Sequence, residues 1–159
     1  MTKSVIIKPV ISDEASHLFR QSDDYMASLY PAESNHPVDP SVLRGKGARP
    51  VGAFINDVCA CCVGVRFFQG GPSYGEIKRF YADPAYRGKA IANKLMTEIE
   101  QAAIAEGIAM VRLETGVLQK AAIGLYESLG YYHIQPFGSY LDDPLSLFME
   151  KHPVPSARA

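Results

Sequence analysis

The residues best suited to chemistry form a short run of basic and small side chains after a proline-marked turn. The turn is Asp83-Pro84, and the run is Arg87-Gly88-Lys89-Ala90-Ile91-Ala92. A segment with the apolar spacing of a helix follows, and a helix start exposes unpaired N–H groups and the positive end of its dipole. Small residues let a phosphate approach the backbone, while Arg87 and Lys89 add positive charge. The run therefore predicts a diphosphate site, although it is neither a P-loop nor a dinucleotide fingerprint.

A second candidate for chemistry is the cysteine group Cys59-Ala60-Cys61-Cys62. The pair Cys59 and Cys62 has the spacing of a zinc or redox motif. It lies in an apolar strand, where residues three apart point to opposite faces, and no second pair or nearby histidine completes a site. We therefore expect buried structural cysteines and no metal site.

The elements that must position these groups are strands alternating with helices. Apolar runs predict strands at 5–11, 51–55, 58–68, 74–82, 110–115, 131–134 and 145–150, and helical spacing predicts helices at 12–29, 91–106 and 119–129. Ser12 is expected to cap the first helix, whose buried stripe includes Tyr25. One mixed sheet covered by helices is the expected result. We predict a single domain over residues 1–152 and a flexible tail at 153–159.

Charge and composition exclude several classes of protein. Sixteen basic residues against seventeen acidic ones give a net charge of −1, which argues against nonspecific nucleic-acid binding and against a polybasic membrane surface. Hydrophobic residues make up 47% of the chain, as in an ordered globular domain. The most apolar stretch, 51–68, is broken by Asn56-Asp57 and carries Arg66, so it cannot lie in hydrocarbon. With no export signal at the start, we expect a cytoplasmic protein.

The run at 87–92 resembles the acetyl-CoA signature of the GCN5-related N-acetyltransferases (GNAT), Gln/Arg-x-x-Gly-x-Gly/Ala, with Ala90 in place of the middle glycine. A second family pattern, Asn-x-x-Ala-x-x-Leu-Tyr-x-x-x-Gly-Phe/Tyr, is similar to the segment from Gln119 to Tyr131, with glutamine in place of asparagine. The resemblance extends over the predicted elements from Val5 to Glu150. It implies an α/β (α+β) fold: a single mixed, mostly antiparallel sheet with helices on both faces.

The resemblance also implies where acetyl-CoA binds as a co-substrate. It would lie in a V-shaped gap between the strand at 74–82 and the next parallel strand at 110–115. Backbone groups of Phe80 and Ala82 would pair with the pantetheine arm, and the Phe80 N–H would polarise the thioester carbonyl. The implied cofactor-binding residues are Phe80, Tyr81, Ala82, Arg87, Gly88, Lys89, Ala90, Ile91, Ala92, Gln119 and Ala122.

Two further residues carry implied catalytic roles. An alkylammonium acceptor with a pKa near ~10 must lose a proton before attack, and Glu76 is the candidate base, directly or through water. The alternative is an exposed strand glutamate that pairs with Lys78. Tyr126 matches the family tyrosine that faces the leaving sulfur, and its alternative is a helix tyrosine packed on the sheet.

The acceptor site is implied by the early loop and one later residue. Tyr30, Glu33, Asn35 and His36 would form one wall and Tyr140 the opposite wall; the alternative is a helix end followed by a solvated loop. The function implied is acetyl transfer to a primary amine of a small molecule by direct attack in a ternary complex. Alternatives are a non-catalytic acyl-CoA-binding module and a protein-lysine acetyltransferase. Dimers are frequent in the family, so a homodimer is a further expectation.

Overall fold

The computed structural model describes residues 5–10, 13–31, 47–86 and 90–155. Seven strands form one sheet in the order β1-β2-β3-β4-β5-β7-β6. The strands are β1 (Val5–Pro9), β2 (Ala48–Ile55), β3 (Val58–Phe68), β4 (Tyr74–Ala82), β5 (Val111–Gly116), β6 (Tyr132–Ile134) and β7 (Ser146–Lys151). The helices are α1 (Ser16–Leu29), α2 (Ile91–Ala105) and α3 (Lys120–Ser128), with a short 3-10 helix at Pro84–Tyr86.

The sheet is mixed and carries helices on both faces, which confirms the predicted fold class. β4 and β5 run parallel, whereas the other described neighbours in the sheet are antiparallel. Leu18 of α1 packs with Phe54 on one face. Leu95 of α2 and Tyr126 of α3 belong to the larger core on the other face. The sheet therefore separates the α1 side from the side of α2 and α3.

The first helix departs from the sequence prediction at its start. It begins at Ser16 with Ala15 as its N-cap and has no side-chain cap, so the expectation that Ser12 caps it is wrong. A turn precedes it, in which the Ser16 N–H donates to the Asp13 carbonyl at 3.0 Å. Tyr25, expected in the buried stripe, is 42% exposed.

A β-bulge overturns the expectation that Cys59 and Cys62 face opposite ways. Ala53 and Phe54 of β2 are opposite Cys61 and Cys59, so Ala60 is an extra residue in β3. Cys59 and Cys62 consequently belong to the same core on the α1 side. Burial raises the pKa of the Cys59 thiol to about 11 and that of Cys62 well above its ordinary value, so both stay protonated. Within the described ranges, no cluster of side chains has the composition of a metal site.

The end of the described chain contacts α2. Pro153 is buried, and the Val154 carbonyl accepts a hydrogen bond from Gln101 Nε2 at 3.0 Å. No helix within the described ranges is long and apolar enough to cross a membrane.

Candidate active site

The parallel strands β4 and β5 pair over a short length and then separate. Gly75, Glu76 and Ile77 are in register with Val111, Arg112 and Leu113. Beyond these residues β5 continues along β7 to Gly116, while β4 continues along β3 to Ala82. A gap therefore opens between residues 78–82 and residues 114–116, where the sequence analysis expected one.

A second β-bulge in β4 lies at the start of this gap. Lys78 is opposite Gly64 and Tyr81 is opposite Cys62, so Arg79 and Phe80 together oppose a single residue of β3. Arg79 has a φ of 57°, a left-handed conformation that is rare for a residue with a Cβ atom. A bulge bends its strand and increases its twist, which gives a physical reason for β4 to leave β5 here.

A cavity of ≈ 510 Å³ lies beside the end of β4, where β4 has separated from β5. It is lined by the end of β4, the beginnings of α2 and α3, part of β3, and Tyr25 of α1. Because α1 lies on the opposite face from α2 and α3, the cavity is bounded by residues from both sides of the sheet. Its lining includes eight of the predicted cofactor-binding residues, namely Phe80, Tyr81, Ala82, Ala90, Ile91, Ala92, Gln119 and Ala122.

The remaining predicted cofactor-binding residues, Arg87, Gly88 and Lys89, lie outside the described residues. Other lining residues were not predicted from sequence: Tyr25, Ala60, Cys61, Tyr86, Asn93, Ala121 and Leu125. Leu125 stands in the second family pattern and Asn93 directly follows the first, so those motifs were an available signal. Tyr25 had no such signal, because helical spacing assigned it to the core.

The start of α2 meets the cavity with residues 90–93. Ala90 is the N-cap, has a φ of 60° and makes no side-chain cap. The left-handed conformation costs a residue with a Cβ atom about 1–2 kcal/mol and costs glycine much less. This explains why the signature has glycine at this position, and alanine fits it only under strain. The first residues of α2 carry the N–H groups that a helix start offers to an anion.

Glu76 lies in a buried polar cluster on the α1 side of the sheet. The residue is 4% exposed, and Lys78 Nζ is 2.8 Å from its Oε2. The Tyr140 hydroxyl donates to the same oxygen at 2.6 Å and also accepts from Lys78 Nζ. The predicted pairing with Lys78 is present, but the glutamate is buried rather than exposed. Burial and the neighbouring Glu76 carboxylate raise the pKa of the Tyr140 hydroxyl, which therefore stays a neutral donor.

Tyr126 packs behind the wall of the cavity. It is 5% exposed, and its ring meets those of Phe80 and Tyr131 edge to face at 5.9 Å. It is not among the lining residues, whereas the preceding Leu125 is. Burial raises the pKa of the Tyr126 hydroxyl. This is the packing expected of a helix tyrosine on the sheet, and the role toward the leaving sulfur stays a prediction.

Tyr30 joins the end of α1 to the segment after β5. Its buried hydroxyl accepts the Leu118 N–H at 2.9 Å, and burial raises its pKa. A Cβ atom added at Gly116 would lie 1.9 Å from this oxygen, so the contact requires glycine there. The other residues predicted on this wall, Glu33, Asn35 and His36, lie outside the described residues.

Comparison with known proteins agrees with this geometry. The model of the Acetyltransferase (GNAT) family matches residues 14–131. The IAA acetyltransferase of Azospirillum brasilense is 40% identical over 141 residues, which cover 89% of this chain and 92% of that protein. The N-acetyltransferase YsnE of Bacillus subtilis, itself uncharacterised, is 31% identical over 128 residues, covering 79% and 83%.

A solved structure has the same fold. It is the PaiA N-acetyltransferase of Thermoplasma acidophilum in complex with coenzyme A, with a TM-score of 0.74, 20% identity and coverage of 94% of this chain and 99% of that one. The family match covers well over half of the sequence, and the relatives align along most of its length. The chain therefore belongs to the GNAT family of acetyltransferases and is an N-acetyltransferase.

Proposed function

We propose that the protein transfers the acetyl group of acetyl-CoA to a primary amine of a small molecule, by direct attack in a ternary complex. The observation that carries this proposal is the cavity beside the end of β4, where β4 and β5 separate, lined from both faces of the sheet. In this arrangement the cofactor enters past α2 and α3, and the acceptor approaches from the α1 side. Both substrates then meet beside β4.

On the cofactor side the binding groups belong mainly to the backbone. The residues at the start of α2 carry the N–H groups for the diphosphate, and Arg87 and Lys89 supply positive charge. The bulge in β4 leaves one of Arg79 and Phe80 outside the regular ladder with β3. This supports the Phe80 N–H as the donor to the thioester carbonyl, where negative charge develops during attack.

On the acceptor side Glu76 takes the proton that the amine must lose. Its carboxylate lies in a water-poor cluster, and the Tyr140 hydroxyl bonded to it offers a proton relay. The proton reaches Glu76 directly, through this hydroxyl or through water. The amine nitrogen then forms a bond to the acetyl carbon as the carbon–sulfur bond breaks.

Tyr126 acts toward the leaving sulfur as a hydrogen-bond donor. Because burial raises its pKa, the phenol holds its proton more tightly than a thiol with an ordinary pKa near ~8.5. It therefore stabilises the departing thiolate without giving up the proton. A homodimer and a cytoplasmic location stay predictions.

The test is release of free coenzyme A thiol from acetyl-CoA in the presence of a panel of small primary amines. IAA is tested beside the panel, because the relative from A. brasilense is named for it. The proposal expects saturable turnover with at least one amine. Saturable acetyl-CoA binding without thiol release from any amine would instead support the acyl-CoA-binding module, and turnover confined to protein lysines would support the protein-lysine acetyltransferase.

A further inference from the structure

Arg79 is a buried cation with an incomplete set of partners. Its side chain is 8% exposed, and its Nη1 donates to Asp23 Oδ1 of α1 at 2.6 Å. The guanidinium carbon lies 4.8 Å from the centre of the Phe19 ring. Its Nε and Nη2 atoms are buried and have no hydrogen-bond partner among the residues that the structure describes.

The two atoms without partners form one edge of the guanidinium group. That edge presents two parallel N–H donors, the geometry that binds both oxygens of a carboxylate. Buried donors without partners are rare in folded proteins, because they lose their bonds to water and gain nothing in return. An orphaned pair on a single edge is therefore a candidate binding group for a planar anion.

Arg79 is not itself among the residues that line the cavity, but its neighbours place it on the α1 side of the cavity. The two residues that follow it, Phe80 and Tyr81, line the cavity, and so does Tyr25, two residues after Asp23 on the same helix. The Arg79 side chain contacts α1, which lies across the sheet from α2 and α3. The start of α2, where the diphosphate is proposed to bind, is thus on the other side.

We propose that the acceptor carries a carboxylate as well as an amine, and that the Nε–Nη2 edge of Arg79 binds this carboxylate. The inference rests on the proposed function and specifies its substrate class. Asp23 and Phe19 hold the guanidinium plane, so little side-chain freedom is lost on binding. The left-handed backbone of the bulge fixes where the side chain leaves β4.

The first experiment needs no substitution. Thiol release is measured with matched acceptors, L-phenylalanine and β-alanine, each beside its carboxamide. The carboxamide keeps the amine and the shape but lacks the anion, and its less basic amine biases the comparison against the proposal. We expect kcat/KM to favour the carboxylates by at least about tenfold, because a site built to bind a polar group rejects analogues that lack it. Equal or faster turnover of the carboxamides would overturn the inference.

The second experiment uses Arg79→Lys, which keeps the charge and removes the two-pronged edge. We expect the preference for carboxylates to fall to about twofold, because carboxylate turnover should fall by more than carboxamide turnover. Arg49→Lys is the matched control, because Arg49 pairs with exposed Glu106 on the surface and should leave the preference intact. An equal loss for both acceptors, or weaker acetyl-CoA binding, would contradict the inference and assign Arg79 to the fold or to a cofactor phosphate.

A binding measurement separates this inference from the proposed function. N-acetyl-L-phenylalanine and its carboxamide are titrated calorimetrically into the coenzyme A complex of wild type and Arg79→Lys. The inference is supported if wild type binds the carboxylate and Arg79→Lys does not. This holds even if no amine is turned over, because absence of turnover would contradict the proposed function alone. Absence of heat with the carboxylate, or equal heat with the carboxamide, would overturn the inference.

Discussion

The two sides of the gap between β4 and β5 differ in the chemical groups that they offer to a ligand. The side of α2 and α3 offers the start of a helix and small residues such as Ala90, Ala92 and Ala122, so recognition there depends on backbone groups. The α1 side offers charged side chains that contact one another, buried Glu76 with Lys78 and buried Arg79 with the exposed Asp23. Under the proposed function, the backbone groups bind the part of the co-substrate that all acyl-CoA molecules share, whereas the side chains set the choice of acceptor. The difference predicts that substitutions on the two sides separate cofactor binding from turnover.

Glu76→Gln should give the largest separation between turnover and acetyl-CoA binding. The amide cannot accept the proton of the amine, so kcat should fall by at least about 100-fold, while the Kd for acetyl-CoA stays within about twofold. Thiol release and calorimetry measure the two quantities. Glu98→Gln, on the exposed face of α2, is the control and should change neither. Loss of acetyl-CoA binding in Glu76→Gln would break the division between the two sides.

Gly116→Ala tests the contact of the Tyr30 hydroxyl with Gly116, which joins the end of α1 to the segment after β5. The added methyl would lie 1.9 Å from the Tyr30 hydroxyl, which forces Tyr30 away from β5 and should lower the free energy of unfolding by about 1–3 kcal/mol. Gly124→Ala is the matched control, because nothing lies within 4 Å of its added Cβ atom in α3; it should stabilise the fold by about 0.5–1 kcal/mol. Urea unfolding measures the change in the free energy of unfolding for both variants. Equal changes would contradict the contact between Tyr30 and Gly116.

Tyr140→Phe keeps the ring and deletes the hydroxyl that bonds Glu76. We expect kcat to fall by about tenfold, because Glu76 loses one buried hydrogen bond and the proposed proton relay. Acetyl-CoA binding should not change. Tyr132→Phe, which removes a hydroxyl from the Glu150 network instead, is the control for loss of a phenol elsewhere. An unchanged kcat in Tyr140→Phe would remove Tyr140 from the acceptor side.

Ala90→Gly should give the smallest effect, and it should be confined to the cofactor side. Glycine relieves the left-handed backbone at φ 60°, so the fold should gain about 1 kcal/mol and acetyl-CoA should bind a few-fold more tightly. Ala92→Gly, inside the first turn of α2, should instead destabilise the fold by about 0.5–1 kcal/mol. Thermal unfolding and calorimetry measure both variants. A loss of stability in Ala90→Gly would show that the strain has been misassigned.

The part of the cavity lining around the start of α2 was predictable from sequence because its determinants are local. The strand β4, the run of basic and small residues at 87–92 and the start of α2 are neighbours in the chain. The sequence motif therefore contains most of what places the start of α2 beside the end of β4. The bounds of β3 and β4 were also correct, since their apolar runs end at the turns Asn56-Asp57 and Asp83-Pro84.

The errors and omissions come from tertiary structure. A bulge is an extra residue in one strand, and apolar periodicity does not reveal it; one bulge put Cys59 and Cys62 on the same face, and another gave Arg79 its exceptional backbone. Tyr25 was assigned to the core by helical spacing, yet it lines the cavity because the gap lies beneath that end of α1. The buried cluster of Glu76, Lys78 and Tyr140 joins residues more than sixty positions apart.

Calorimetric titration of coenzyme A into wild type and Ala122→Trp tests the central claim, that the gap between β4 and β5 receives the arm of the cofactor. Ala122 lines the cavity, whereas Ser128→Trp at the exposed end of α3 is the matched control. We predict one saturable site per chain in wild type and in the control, and binding at least about tenfold weaker in Ala122→Trp, because the indole fills the space of the arm. No heat with wild type, or equal affinity in Ala122→Trp, would contradict the account.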